Sequence, residues 1–293
     1  QPLLKANTTL EGQIEAELGL GGQGDAMEAV GPLLAHLKLT RTKRRTHVTY
    51  LPELQGNLQI TPEGITLAEA KTPYAGGELG LALKSGWDGT DVELGLKGSA
   101  LELEEILREE SGFPVPWVGM TGALEATLRG SLVPFSLSGQ AEISGEGFQV
   151  VSRGLKSGRP ATLEVSRARL LGDVLLDSRG TTVDINRFET ERSSGSGKLF
   201  MGRGLFAPFD LRFNLSELDY TDLAPLGSIA LAGQGSLEGR VWGELGRPLK
   251  ADGRAKVTSF EALGLPWADR LESRIVTEDL RLVKFQPFHA WKG

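Results

Sequence analysis

Hydrophobic and polar residues alternate through residues 121–143, where Leu124 and Leu128 are each followed by a charged side chain. This period of two is typical of a β-strand with one buried face. Gly130 and Pro134 bracket a turn, because glycine permits positive φ and proline lacks a backbone donor. A second alternating segment follows the turn, so the stretch predicts a β-hairpin with an apolar face and a polar face.

The same pattern returns in residues 235–257. Leu237 and Val241 occupy the positions that Leu124 and Leu128 occupy in the first copy. An internal repeat of this length predicts copies of one structural unit rather than unrelated domains.

Alternating segments elsewhere in the chain extend the repeat. We expect residues 1–50 to end a preceding unit, 51–160 and 161–264 to form two units, and 265–293 to begin a third. The chain is then one continuous elongated domain and an excerpt of a longer protein. The predicted fold is mostly β: a repetitive antiparallel sheet with a few short helices.

Three local signals predict helices. Asp25 followed by Glu28 matches a capping box, and we expect that helix to break near Gly31, before a proline. Residues 101–110 carry apolar positions on one helical face and are predicted to form the clearest helix. Residues 221–226 predict a short helical turn at the corresponding place in the second copy.

Composition narrows the classes of function. Glycine accounts for 39 of 293 residues, mostly within alternating segments, which favours many strands with bulges and tight turns. The net charge of −6 argues against a nucleic-acid partner, and the absence of cysteine excludes disulfides and thiolate–metal sites.

No catalytic or metal-binding pattern is found in the sequence. His36, His47 and His289 lack the spacing of metal ligands, and the Gly-x-Ser-x-Gly motif of hydrolases does not occur. We therefore expect no enzymatic activity, no metal site and no cofactor.

One cluster of basic residues, Arg41, Lys43, Arg44 and Arg45, is unusual in an acidic chain. These side chains could contact anionic lipid headgroups. The preferred interpretation is that they lie at a solvated hairpin end or protect an edge strand.

The repeat resembles the AsmA-like superfamily, which includes the TamB family. The resemblance rests on the hairpin, on the Leu-rich turns at residues 103–107 and 221–226, and on the Gly-rich strand ending at residues 74–80. Members of that family are long proteins of the bacterial envelope with a curled β-sheet. The resemblance therefore implies that this antiparallel sheet is curled into an elongated, taco-like groove. The C-terminal module by which TamB contacts an outer-membrane assembly protein is not found in this chain.

The resemblance implies a segment of an envelope protein whose apolar β-groove conducts phospholipids between the inner and outer membranes, supporting outer-membrane biogenesis. It implies a periplasmic location, with an inner-membrane anchor in the full-length protein. The implied partners are phospholipid acyl chains, both membranes through parts outside this chain, and an outer-membrane assembly protein.

Period-two spacing gives the residues expected to line the groove. They are Leu124, Leu128, Leu237, Val241, Leu211 and Phe213. The alternative is a structural or adhesive β-repeat protein whose apolar face is a closed core and which binds another protein. The two functions differ in whether the apolar face is open or covered.

Overall fold

The structure is a computed structural model of the 293-residue chain. It describes residues 8–22, 27–42, 46–102, 104–105, 118–153, 160–203, 207–222, 231–244, 247, 249–277 and 284–292.

The described residues are mostly β-strand, and the pairings between strands are antiparallel, which confirms the predicted fold class at this level. The strands are β1 Thr8–Ala16, β2 Gly19–Gly21, β3 Glu28–Thr42, β4 Thr46–Thr61, β5 Gly64–Tyr74, β6 Gly77–Gly86, β7 Val92–Glu102, β8 Val118–Leu132, β9 Phe135–Arg153, β10 Pro160–Asp177, β11 Gly180–Thr190, β12 Ser194–Gly202, β13 Pro208–Asp219, β14 Leu231–Glu244, β15 Lys250–Ala262, β16 Leu265–Thr277 and β17 Lys284–Trp291.

The chain divides into two structural units. The first contains Gln1–Val115, Thr121–Ile143 and Val174–Ser178, and the second contains Pro116–Met120, Ser144–Asp173 and Arg179–Gly293. In the first unit, β3 pairs with β1, β2 and β4, and strands β4 to β8 each pair with the next. In the second unit, strands β11 to β17 pair in the same sequential way.

A pair of facing glycines recurs after six strands. Gly64 opens β5 and faces Gly86, and Gly180 opens β11 and faces Gly202. A Cβ on Gly64 would lie 2.1 Å from the nearest carbonyl oxygen of the neighbouring strand, and a Cβ on Gly180 would lie 2.2 Å from the corresponding oxygen. Only glycine fits at either position, so the two copies share a structural constraint and not only a hydrophobic pattern.

The prediction of a helix from Asp25 and Glu28 is wrong for the part of this segment that the structure describes. Glu28 begins strand β3, which continues through Gly31 without a break, and Asp25 lies outside the described residues. Pairing on both sides of β3 supplies more backbone hydrogen bonds than a short capped helix would offer.

Proline is tolerated within β3 because the neighbouring strand is interrupted beside it. The carbonyl oxygen of Pro32 accepts a hydrogen bond from the backbone N of Glu17, 3.2 Å away. The nitrogen of Pro32 points to the same side, where β1 has ended at Ala16 and β2 begins only at Gly19. The missing N–H of proline therefore falls where the ladder is already broken.

The predicted short helices are not seen as α-helices with defined bounds in the described ranges. Leu101 and Glu102 end strand β7 rather than begin a helix, and Glu104 and Glu105 are helical. Residues 103 and 106–110 of that prediction lie outside the described residues.

The turn predicted over residues 221–226 overlaps a single 3-10 turn, Tyr220–Asp222. Residues 223–226 lie outside the part of the chain that the structure describes.

Candidate functional site

An apolar ladder crosses four strands on one face of the second unit. Val183, Leu199, Leu211 and Val241 stand directly opposite one another on β11, β12, β13 and β14. Residues paired in this way project to the same side of a sheet. All four side chains are half-buried, so this surface is apolar and still accessible.

A second row, two residues further along each strand, has glycine on three of its six strands. It contains Ile185, Gly197, Phe213, Gly239, Gly253 and Ile275. We call this the glycine row. Only Phe213 projects from its four central strands, and the ring of Phe213 reaches towards Gly239.

The apolar face is covered at one end by the 3-10 turn. Tyr220 is 5% exposed and packs with Leu218, Val257 and Leu271 in a buried cluster. Its hydroxyl donates to the carbonyl oxygen of Ser236, 2.9 Å away. Burial raises the pKa of Tyr220 above its usual value. The ladder through Leu211 lies beyond this cover, which explains why its residues remain half-buried.

Asp222 fixes the 3-10 turn to the connection between β11 and β12. The hydroxyl of Ser193 donates to Asp222 Oδ2 at 2.7 Å, and Ser193 Oγ accepts from the backbone N of Asp219 at 3.2 Å. Arg192 Nη2 lies 2.6 Å from Asp222 Oδ1 as an ion pair without hydrogen-bond alignment. This serine contacts a carboxylate with no histidine in the group, so the arrangement is a structural clasp rather than a nucleophile with its base.

The opposite face of the same strands is charged. Arg240 holds Asp210 with two hydrogen bonds, Nε to Oδ1 at 2.8 Å and Nη2 to Oδ2 at 2.7 Å. Arg274 holds Asp252 in the same manner, at 2.9 and 2.5 Å. These guanidinium groups lower the pKa of both carboxyls, mainly through the hydrogen bonds. Arg240 also stacks over the ring of Trp242, 5.2 Å from its centroid.

The first unit has the same two-sided character but a more closed apolar face. Leu128 stands opposite Leu94 and is only 3% exposed, within a buried cluster that includes Phe135. Leu124, further along β8, is half-buried. On the other face, the exposed Arg129 contacts Glu93 at 2.9 Å.

The structure places the six predicted lining residues on the apolar faces of their own units. Leu124 and Leu128 share one face in the first unit, and Leu211, Phe213, Leu237 and Val241 share one in the second. Leu237 is half-buried and packs against the cluster around Tyr220.

The basic cluster is only partly described. The backbone of Arg41 lies in β3, opposite His47, whereas Lys43, Arg44 and Arg45 lie outside the described residues. Their suggested contact with lipid headgroups stays a prediction.

Within the described ranges, no three histidine or acidic side chains are grouped so as to hold a metal ion. No helix among the described residues is both long and apolar enough to cross a membrane.

Sequence reasoning missed Tyr220 and the glycine row. The alternation of Gly197, Gly239 and Gly253 with longer residues was the available signal, but aligning these glycines requires the strand register.

Comparison with protein-family models, with curated proteins and with solved structures finds no match to this chain.

Proposed function

We propose that the half-buried apolar face of this chain binds phospholipid acyl chains and forms part of a path for lipid between the inner and outer membranes of a bacterial envelope. In this proposal the sheet curls into an elongated groove with the apolar face inside. The protein acts in the periplasm and meets the membranes, and an outer-membrane assembly partner, through other parts of a longer chain.

The observation that supports the proposal is the ladder through Leu199, Leu211 and Val241. Burying apolar surface releases roughly 25 cal/mol per Å². These aliphatic side chains are only half-buried. A ligand that covers them therefore buries further apolar surface and gains part of that free energy. An acyl chain needs contact along its length and no directional polar groups, which is what such a row offers.

The sheet of the second unit has a charged face on the side opposite its apolar face. Each residue of the ladder is flanked along its strand by residues such as Arg212 and Arg240, which project to the other side. A lipid tail in contact with the ladder is therefore separated by the sheet from the ion pairs. The resemblance of the repeat to the AsmA-like superfamily supports the same function.

A photoreactive amino acid placed at position 211 of the full-length protein tests the proposal. After irradiation in cells, mass spectrometry of the purified protein should find phospholipid attached at this position. The matched control is position 212, the next residue on β13, which is exposed on the charged face. Absence of lipid at position 211, or equal labelling at both positions, would reject the proposal.

A second function is favoured by the first unit. Val92, Leu128, Phe135 and Leu137 form a buried cluster there, as expected for the closed core of a structural or adhesive repeat protein. In that case the photoreactive residue at position 211 should be linked to a protein partner instead of lipid.

A further inference from the structure

One hairpin tip in the second unit exposes a run of apolar residues. Strands β15 and β16 are joined by a turn of two residues, Leu263 and Gly264. Leu263 is 69% exposed, Leu265 is 60% exposed and Trp267 is 58% exposed. No charged residue occurs in residues 262–268, although 24% of the whole chain is charged. The tip of this hairpin is therefore a continuous apolar surface in contact with the surroundings.

The turn places leucine where the backbone favours a different residue. Leu263 and Gly264 have φ angles of 56° and 74°, the geometry of a type I′ turn, in which asparagine or aspartate before glycine is preferred. A bulky side chain at positive φ is strained. The β5–β6 turn has the same geometry with Ala75 and Gly76, but Ala75 is small and only 6% exposed. Leu263 gains no such burial, so the fold does not explain its presence.

The tip stands clear of the described part of the chain. A Cβ built on Gly264 meets no atom within 4 Å. The ring N–H of Trp267 donates to the backbone oxygen of Ala262, 3.0 Å away, and the backbone oxygen of Pro266 accepts from Lys292 Nζ at 3.5 Å. Because the indole N–H is already bonded, the ring can leave water without losing a hydrogen bond and needs no acceptor from a protein partner.

Charged residues of both signs lie at the base of the tip. Glu261 and Asp269 are the next acidic residues on β15 and β16, and Arg270 and Lys292 are the basic residues beside them. Arg270 also stacks over the exposed ring of Trp291, 5.3 Å from its centroid. Tryptophan beside arginine and lysine is typical of the boundary between lipid headgroups and acyl chains. Because the two signs balance, these residues match a zwitterionic headgroup layer and not a strongly anionic surface.

We propose that the β15–β16 tip inserts into the surface of a zwitterionic lipid bilayer, with Leu263, Leu265 and Trp267 reaching the boundary of the acyl region. The tip is convex, and a fluid surface accommodates it without a preformed pocket. This contact is separate from the proposed lipid path, because the apolar ladder takes no part in it. It gives the chain a membrane contact of its own, in addition to those proposed for other parts of a longer protein.

A fluorescent label tests the insertion directly. The chain contains no cysteine, so Leu265→Cys gives a unique site for an environment-sensitive fluorophore on the purified 293-residue protein. Vesicles of phosphatidylcholine and phosphatidylethanolamine should shift its emission to shorter wavelength. The shift should persist in high salt, because net charge does not drive the contact. The matched control is Asn214→Cys, exposed on the charged face of β13, whose label should not respond.

Replacement of the strained leucine separates vesicle binding from folding. Leu263→Asn supplies the residue that a type I′ turn prefers, so its urea midpoint should be equal to or higher than that of the parent protein. Vesicle binding, measured by co-flotation, should fall by about tenfold or more, because one leucine side chain no longer leaves water. The matched control is Leu20→Asn, since Leu20 is 77% exposed and lies in β2 of the first unit. It should leave vesicle binding unchanged.

The outcomes separate this inference from the proposed function. Unchanged emission at position 265 with vesicles, or an equal loss of binding in Leu263→Asn and Leu20→Asn, would overturn the membrane contact. A photoreactive residue at position 265 that links to a protein in cells, and not to lipid, would assign the tip to a protein pocket instead. Leu211→Asp should bind vesicles as the parent protein does, so loss of lipid at position 211 and loss of vesicle binding reject different proposals.

The stability of Leu263→Asn checks the account of the turn. A lowered urea midpoint would show that leucine is held there by packing within the protein, and this would overturn the inference. The label at position 265 reports on the unaltered turn residues, so its reading does not depend on the folding of that variant.

Discussion

Phe213 and Gly239 face each other across β13 and β14, and the ring of Phe213 covers the backbone of the glycine. An aromatic side chain that shields a cross-strand glycine replaces the packing that the glycine cannot supply. The carbonyl oxygen of Asp252 also lies 2.8 Å from the position of a Cβ on Gly239. Gly239 is thus confined by a side chain on one side and by main chain on the other.

Gly239→Ala should lower the free energy of unfolding by about 1–3 kcal/mol, the usual cost of overpacking. Combining it with Phe213→Leu should restore only part of the loss, because the oxygen of Asp252 does not move with the ring. Urea unfolding measures both effects. Gly95→Ala is the control, since the nearest atom, Cβ of Ala82, is at an ordinary 3.5 Å; an equal loss in the two alanine variants would contradict the prediction.

Tyr220→Phe should remove the hydrogen bond to Ser236 and lower the free energy of unfolding by about 0.5–1.5 kcal/mol at neutral pH. The raised pKa of Tyr220 in the folded state adds a pH dependence. Its stabilisation is complete below the unfolded pKa of about 10 and is lost as the pH rises above that value. The variant should therefore lose less stability than the parent protein between neutral and strongly alkaline pH, and parallel pH profiles would count against this account.

In the double variant Asp210→Asn, Asp252→Asn, stability should decrease less between neutral and acid pH than in the parent protein. Because the arginines lower the folded pKa of both carboxyls, their stabilisation is present above about pH 4 and lost as the pH falls through the folded values. Thermal unfolding from pH 7 to pH 2 measures the difference. The difference between parent and variant should shrink in high salt, because these ion pairs are partly exposed. A difference that persists in high salt would point to another cause.

Leu211→Asp and Val257→Asp should separate lipid binding from stability. Val257 is 2% exposed, so an unpaired carboxylate there should cost about 3–5 kcal/mol and unfold the second unit. Leu211 is half-buried, and its variant should keep the fold because the carboxylate retains contact with water. Leu211→Asp should nevertheless abolish labelling by palmitate that carries a photoreactive diazirine, measured by mass spectrometry of the purified protein. Equal destabilisation by both substitutions would show that the face is covered.

Gly64→Ala and Gly180→Ala should destabilise the protein to a similar degree. In each case the new methyl group meets a carbonyl oxygen of the paired strand at little more than 2 Å, so the strands must separate locally. Chemical unfolding of the two variants compares the copies directly. Gly19→Ala, where the nearest atom is 3.6 Å away, should cost far less.

The hairpins could be predicted because their signals are local. In residues 121–143, period-two alternation identifies both strands, and Pro134 marks the turn that the structure places between β8 and β9. The recurrence in residues 235–257 was visible for the same reason, and β14 and β15 form the second hairpin. Neither element depends on residues distant in sequence.

The prediction of a helix near Asp25 was wrong because the strand that forms instead is stabilised by pairing with other segments of the chain. Asp25 and Glu28 match a capping box and Pro32 matches a helix break, yet Glu28 and Pro32 belong to a strand that pairs with two neighbours. The tolerance of Pro32 depends on an irregularity in the chain opposite it, between Ala16 and Gly19. A pattern within the segment carries no information about that irregularity.

The glycine row could not be predicted because it depends on register. Phe213 and Gly239 are far apart in sequence, and a shift of one residue in pairing would place Phe213 beside Glu238 or Arg240. The apolar face itself follows from alternation along each strand. The position of Phe213 beside Gly239 follows only from the alignment between strands.

The facing glycines bear on how such a chain can change its length. Gly64 and Gly86 belong to one hairpin, and Gly180 and Gly202 belong to another, so each tight approach is completed within its own copy. An in-frame duplication of the segment from one such hairpin to the next would carry both members of the pair with it. The inserted strands would meet their neighbours with the correct spacing from the first generation. The chain can therefore lengthen or shorten by one whole copy in a single genetic event. Gain or loss of one strand would instead reverse the direction of every strand that follows.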